Sequence, residues 1–207
     1  KVGVDAEVMK IAIPMYKRIM HDDKGNLTDQ LYGNDGQAIY SVSRAQLNVL
    51  MMRLAAKNGA DLYFNEKCIE ANLEQASVIF ENTNTNQKQT VTSDLIIGAD
   101  GAFSAVRKQM VEQYDHEFNY NKIEHDYKEL HIPAGKNGTF LLDKNALHIW
   151  PRGEFMLIAL ANLDGSFTCT LFAPKKGKKS FECLNSKKEV ENYFSTIFPD
   201  FLDLVPD

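Results

Sequence analysis

The sequence has few cysteines and no long apolar run, and both shortages limit what the protein can be. Its three cysteines cannot all pair and none belongs to a CxxC motif. We therefore expect a reducing cytoplasm rather than a secreted disulfide framework. No apolar stretch reaches the roughly 18–20 residues of a membrane-spanning helix, and no signal-peptide pattern precedes the first predicted strand. We expect no membrane contact in this segment.

An excess of positive charge is also missing. Lysine and arginine number 23 against 28 aspartates and glutamates, which gives a net charge of −5. This balance argues against a nucleic-acid surface. The 207 residues, 44% of them hydrophobic and 25% charged, are typical of a globular chain with a sizeable core.

Several motifs that carry chemistry are absent. The five histidines show no metal-ligand spacing with one another or with cysteine, so we predict no metal site. The GxSxG motif of many hydrolases is missing, and none of the 12 glycines forms a GxGxxG phosphate-binding loop. No residue stands out as an acid–base catalyst, and we predict none.

Hydrophobic periodicity predicts both helices and strands. An apolar residue recurs at helical spacing from Leu47 to Ala55, Ser43 and Gln46 form a capping box, and Gly59 ends the helix. A second helix is predicted over 187–198, capped by Ser186. The predicted strands lie at 10–21, 38–42, 61–64, 68–73, 77–82, 89–92, 94–98, 146–150, 155–160 and 166–172.

The segment 94–107 joins a predicted strand to a helix through a glycine-containing turn. Gly98 and Gly101 bracket the turn, and Asp100 between them can accept hydrogen bonds from ribose hydroxyls. Glycine allows a ligand to approach the backbone, and the helix N-terminus attracts an anion. The same pattern also fits an ordinary strand–turn–helix without a ligand.

The longer string resembles the second nucleotide-binding motif of the FAD-dependent aromatic hydroxylase family. The matching positions are Gly98, Asp100, Gly101, Ser104 and Arg107. The resemblance implies a mixed α/β fold in which part of an FAD-binding layer accompanies an antiparallel substrate sheet. It also implies FAD and NADPH as cofactors. Composition and periodicity alone indicate only an α/β layer plus an antiparallel sheet.

Four further strings are similar to the branch of this family that hydroxylates L-kynurenine, at 40–48, 147–152, 155–160 and 166–172. The implied reaction inserts one oxygen atom of O₂ into L-kynurenine, giving 3-hydroxykynurenine at the expense of NADPH. Two alternatives stay within flavin chemistry: a hydroxylase of another aromatic acid, or a flavin reductase. A third is a flavin-free binding module, if these residues are the whole protein.

The resemblance assigns the amino-acid end of the substrate to Arg18 and Tyr32. Arg18 follows Pro14-Met15-Tyr16-Lys17, and Tyr32 precedes Gly33, as in the family. A guanidinium can bind a carboxylate through two hydrogen bonds, and a phenol adds one donor. On the residues alone, the favoured interpretation is that Arg18 is an exposed strand residue and Tyr32 a packing aromatic.

The resemblance also implies flavin-binding residues and an apolar pocket. The family uses the arginine after Ser43 on the flavin, and backbone groups near the adenine. The implied cofactor residues are Arg44, Cys68, Asp100, Gly101 and Ala105. Alternation on the late strands places apolar side chains on one face, and the pocket candidates are Leu147, Ile158, Leu160 and Phe172.

The missing GxGxxG motif indicates an internal fragment of a longer hydroxylase. We expect residues 1–42 to belong to the substrate sheet and 43–108 to the FAD-binding domain. Residues 109–207 are expected to return to the sheet and then to a helix leading back to the FAD domain. No sequence pattern in this segment predicts the oligomeric state or a membrane anchor elsewhere in the protein.

Overall fold

The computed structural model describes residues 3–114, 118–119 and 121–205, and chain contacts divide it into two units. The first unit comprises residues 1–54 and 123–207, and the second comprises 55–122. The expected divisions at 42/43 and 108/109 remain predictions.

The described residues form five α-helices and eleven strands. The helices are α1 (Asp5–Met9), α2 (Arg44–Lys57), α3 (Ala105–Tyr114), α4 (Lys187–Ile197) and α5 (Pro199–Leu202). The strands are β1 (Ala12–Met15), β2 (Lys17–His21), β3 (Leu27–Leu31), β4 (Ile39–Val42), β5 (Glu66–Asn72), β6 (Ser77–Asn82), β7 (Lys88–Thr92), β8 (His125–Ile132), β9 (Ala146–Arg152), β10 (Phe155–Ala161) and β11 (Phe167–Pro174).

A six-stranded sheet dominates the first unit, in the order β3-β2-β9-β10-β11-β8. All neighbours are antiparallel except β2 and β9, which run parallel. Strands β1 and β4 form a separate antiparallel pair. The predicted antiparallel meander of the last hundred residues is confirmed as β9, β10 and β11.

The core of the first unit lies on one face of this sheet. Trp150, Leu157 and Phe167 are fully buried there, and α4 and α5 cover them with aromatic side chains. Helix α4 begins as predicted, since the Ser186 hydroxyl accepts from the Glu189 N–H at 3.3 Å and donates to the Glu189 carboxylate at 2.9 Å. This capping box satisfies amides that have no partner inside the helix.

Helix α2 also begins where the sequence predicts. The Gln46 N–H donates to the Ser43 hydroxyl at 3.5 Å, and Gly59 follows the helix with a φ of +90°. A positive φ ends a helix at little cost only when the residue is glycine.

The second unit contains the antiparallel sheet β5-β6-β7 and helix α3. The predicted strands at 61–64 and 94–98 are wrong, because neither segment adopts β structure. Tyr63 is 78% exposed, Leu95 72% and Ile97 81%. A strand buried on both faces needs paired neighbours and covering layers, and no strand in the described part of the chain pairs with either segment.

Candidate active site

The candidate substrate residues on strands lie on the face of the six-stranded sheet that α4 and α5 do not cover. We call this the open face. Its five candidate residues are all half-buried, whereas the residue that follows each of them along its strand is buried. These five are Arg18, Leu147, Ile158, Leu160 and Phe172. The period of two along a strand produces this division.

Strand register brings Arg18 to one end of an apolar surface. Arg18 lies opposite Leu147 on the parallel neighbour β9, and Ile158 on β10 lies opposite Ile149, two residues beyond Leu147. With roughly 4.8 Å between strands, about 10 Å separates the backbone of β2 from that of β10. An aromatic amino acid anchored at Arg18 can therefore lie across Leu147 towards β10, where the register places Leu160 level with Leu147.

Arg18 and Tyr32 are in contact. The guanidinium carbon lies 5.3 Å from the centre of the Tyr32 ring, a cation–π distance. The Arg18 Nε is buried and has no hydrogen-bond partner, and among the described residues no carboxylate pairs with Arg18. Burial raises the pKa of the Tyr32 hydroxyl, and the Arg18 charge opposes that shift. Tyr32 is therefore a neutral hydrogen-bond donor at pH 7.

A cavity of about 900 Å³ lies between the first turns of α2 and the open face. It brings the cofactor candidate Arg44 and the substrate candidate Leu160 into one lining. Hydroxyl and amide groups of the sheet form much of the opposite wall, and Glu129 adds a carboxylate. The size suits a small organic ligand. Arg18, Tyr32, Leu147, Ile158 and Phe172 do not line it.

In the second unit, Asp100 caps helix α3. One carboxylate oxygen, Oδ1, accepts from the Ser104 hydroxyl at 2.6 Å, and Oδ2 accepts from the Ala105 N–H at 2.7 Å. The Ser104 hydrogen bond is the main reason that the pKa of Asp100 is lowered. Arg107 donates to the carbonyls of Gly101 and Ala102. The residues of the motif thus hold one another in place.

The turn before α3 leaves its backbone accessible. Gly101 has a φ of +78°, with no atom within 4 Å of the position that a Cβ would occupy. A Cβ on Gly98 would lie 3.0 Å from the Val106 side chain, so glycine there permits α3 to pack closely. Cys68 lies on β5, where burial and the charge of Asp100 raise the pKa of its thiol.

Sequence reasoning missed the polar wall of the cavity, which consists of Glu129, Asn162, Thr168 and Thr170. Strand β8, which carries Glu129, was not predicted because its residues are mostly charged or polar. The alternation of Thr168 and Thr170 on β11 was a readable signal for one shared face.

The described residues offer neither a metal-binding cluster nor a membrane-spanning helix. No group of three or more histidine, cysteine or acidic side chains is arranged to hold a metal ion. Within the same ranges, no helix has the length and apolar character needed to cross a bilayer.

Comparison with known proteins defines the class first. The profile of the FAD binding domain family matches residues 1–141, so the chain belongs to that family. A crystal structure of Klebsiella pneumoniae HpxO complexed with FAD shares the fold with a TM-score of 0.71 at 15% identity, covering 99% of this chain and 52% of that one. The mixed α/β prediction and the aromatic-hydroxylase resemblance are confirmed.

Closer relatives share one name. Kynurenine 3-monooxygenase of Flavobacterium johnsoniae is 46% identical over 207 residues, covering all of this chain and 46% of the relative. The enzyme of the same name from Dictyostelium discoideum is 44% identical over 209 residues and is covered to 45%. The chain thus spans about half the length of the curated relatives it matches.

Each unit separately carries residues that fit part of FAD. Arg44 is an exposed cation at the start of α2 and lines the 900 Å³ cavity, and among the described residues no ion pair neutralises it. The backbone at Gly101 is open. Asp100 Oδ1 accepts one hydrogen bond, and since a carboxylate oxygen has two lone pairs, it can accept another from a ribose hydroxyl.

Proposed function

We propose that the full-length protein hydroxylates L-kynurenine at ring position 3, with FAD and NADPH as cofactors and O₂ as co-substrate. The shared name of the relatives supports the reaction. The observation that carries the substrate class is Arg18, a half-buried cation whose buried Nε has no hydrogen-bond partner.

Arg18 and Tyr32 would bind the amino-acid end of the substrate. A guanidinium donates two parallel hydrogen bonds to a carboxylate, and charge-assisted bonds of this kind are the strong ones. The adjacent Tyr32 hydroxyl would donate a third. Because the Tyr32 ring already lies over Arg18 at 5.3 Å, the guanidinium is held in place before the ligand arrives.

The apolar residues of the open face would orient the aromatic ring and exclude water. Leu147 lies beside Arg18, and the register of β10 places Leu160 level with Leu147 and Ile158 two residues further along. Leu160 leads from there to the lining of the cavity beside Arg44. A ring held against such a wall presents one edge for reaction. Excluding water from the site also prevents hydrolysis of reactive intermediates.

Bound FAD, reduced by NADPH, would supply the redox chemistry that transfers one oxygen atom of O₂ to the ring. Arg44 would contact the flavin portion, and Asp100 would accept from a ribose hydroxyl. The backbones of Gly101, Ala105 and Cys68 would contact the remaining nucleotide. None of these residues exchanges a proton with the substrate.

The test removes the substrate cation in the full-length protein. Arg18→Ala should weaken kynurenine binding by about 2–4 kcal/mol, roughly a 30- to 900-fold rise in Kd, since a charged hydrogen-bond partner is lost. Arg18→Lys should recover part of the affinity, because the charge remains without the planar fork. Kd is measured by isothermal calorimetry, and FAD content by absorbance.

Arg53→Ala is the matched control, because Arg53 is an exposed cation on α2. It should leave Kd unchanged. Unchanged affinity in Arg18→Ala would remove Arg18 from the site. Tighter binding of another aromatic acid would identify a different hydroxylase, and NADPH oxidation without hydroxylated product would identify a reductase.

A further inference from the structure

A hydrogen-bonded chain of two buried histidines and one half-buried aspartate lies on the core face of the sheet, opposite Arg18. We call His21, His148 and Asp200 the histidine chain. His21 Nε2 lies 3.0 Å from His148 Nδ1, and His21 Nδ1 lies 3.1 Å from Asp200 Oδ2. The two histidines are only 4% and 2% exposed. Neither histidine serves the proposed reaction.

The hydrogen-bond directions in this chain are fixed by its far end. His148 Nε2 lies 3.0 Å from the carbonyl oxygen of Asp143. A carbonyl only accepts, so Nε2 carries the proton and Nδ1 of a neutral His148 accepts from His21 Nε2–H. Burial lowers the pKa of His148 to about 4, which keeps the ring neutral at pH 7. Burial also lowers the pKa of His21, and its Nδ1 lies 3.1 Å from the Asp200 carboxylate at the other end of the chain.

Trp150 and Arg152 make further contacts with the histidine chain and with the end of β2. Trp150 stacks on His21 with ring centres 3.9 Å apart, and its N–H donates to Asp200 at 2.7 Å. The Arg152 guanidinium donates to the carbonyls of His21 and Asp22. Besides Asp200, the charged groups around the chain are therefore Arg152 and the ion pair of Lys17 with Asp143.

The histidine chain joins the two parallel strands that carry the candidate substrate residues. Strand β2 pairs with β9 over only four residue pairs. His21 lies three residues after Arg18, and His148 directly follows Leu147, the residue opposite Arg18. A slip of one residue would move β2 by about 3.3 Å and turn Arg18 towards the core. A bond between the core-facing side chains opposes such a slip.

We propose that His21, His148 and Asp200 are positioning residues: their hydrogen-bonded chain fixes β2 on β9 and so places the Arg18 guanidinium for a carboxylate ligand. This inference rests on the proposed function, in which Arg18 binds the substrate carboxylate. On this inference, the site prefers ligands that carry a carboxylate only while the histidine chain is intact.

The experiment measures carboxylate preference in the full-length, FAD-loaded protein. This preference is the Kd of the analogue lacking only the α-carboxylate divided by the Kd of L-kynurenine. His148→Leu removes both hydrogen bonds at similar volume and should reduce the preference about tenfold or more. His148→Asn keeps an acceptor for His21 and should stay within about threefold of the wild type. Arg18→Ala provides the value without the cation.

The outcomes separate the two proposals. Loss of preference in both His148→Leu and Arg18→Ala, with the analogue bound normally, supports positioning. Equal weakening of both ligands in His148→Leu indicates a merely structural role and overturns the inference. A preference that survives Arg18→Ala overturns the proposed function instead. If His148→Leu does not fold, Asp200→Ala, which removes the carboxylate beside His21 Nδ1, is measured in its place against the same criteria.

Discussion

At the scale of single residues, burial decides which side chains control the stability of the chain. His148 is 2% exposed, and burial lowers its pKa from 6.5 to about 4. The unfolded chain therefore binds a proton more readily than the folded one below pH 6.5. Stability falls wherever acidification protonates the unfolded state first.

We expect the 207-residue chain to lose the contribution of His148 to its free energy of unfolding as the pH falls from 6.5 to 4. The contribution is present in full above pH 6.5 and decreases by about 3 kcal/mol as the pH falls through that window, with no further loss from His148 below it. Urea denaturation at pH 7.0 and pH 4.5 measures the change.

His148→Asn is the comparison, since it lacks an imidazole and keeps every carboxylate. Its loss of stability between the same two pH values should be smaller than that of the wild type by about 2–3 kcal/mol. Equal losses in the two proteins would show that His148 titrates near its ordinary pKa in the folded chain.

At the scale of helices and strands, the sequence predicted the elements that depend on local signals. It failed where a strand depends on pairing with distant segments. Helices α2 and α4 were predicted because their caps and apolar spacing lie within a few residues of sequence. Strand β8 was missed because it carries mostly polar side chains. Segment 94–98 was predicted as a central strand from its apolar run, but a strand depends on neighbours that a local pattern does not contain.

In the candidate site, too, local patterns were predicted from the sequence and contacts between distant residues were not. Alternation alone placed Ile158 and Leu160 on one face of their strand, and Phe172 on one face of the strand that follows. The pairing of Arg18 with Tyr32 came only from resemblance, because no periodicity relates the two positions. The histidine chain was not predicted at all, since His21 and His148 are 127 residues apart and meet only through the parallel strand pair.

Because segment 94–98 is not a buried strand, we expect two leucines of the 207-residue chain to differ in their contribution to stability. Leu157 is fully buried on β10, whereas Leu95 is 72% exposed. Leu157→Ala should therefore cost about 2–5 kcal/mol of unfolding free energy, and Leu95→Ala less than about 0.5 kcal/mol. Both are measured by chemical denaturation at pH 7. A cost above about 2 kcal/mol for Leu95→Ala would show that segment 94–98 is buried in solution.

At the scale of the whole molecule, the chain carries only part of what binding FAD requires. It belongs to the FAD binding domain family through residues 1–141, yet none of its 12 glycines forms the GxGxxG loop. That loop and the helix after it supply the backbone amides that bind the pyrophosphate in dinucleotide-binding folds. The contacts that remain are those of Arg44, Asp100 and the backbones near Gly101, Ala105 and Cys68.

These contacts set the expected affinity of the 207-residue chain for FAD. Each contributes about 1 kcal/mol net, and together they must offset an association cost of at least ~4 kcal/mol. We expect the purified chain to be colourless, inactive as a hydroxylase, and without saturable FAD binding at a Kd below ~10 µM. Flavin fluorescence during FAD titration measures this, with the full-length protein as the positive control. Saturable binding below that Kd would show that Arg44, Asp100 and their neighbours carry most of the flavin affinity without a GxGxxG loop.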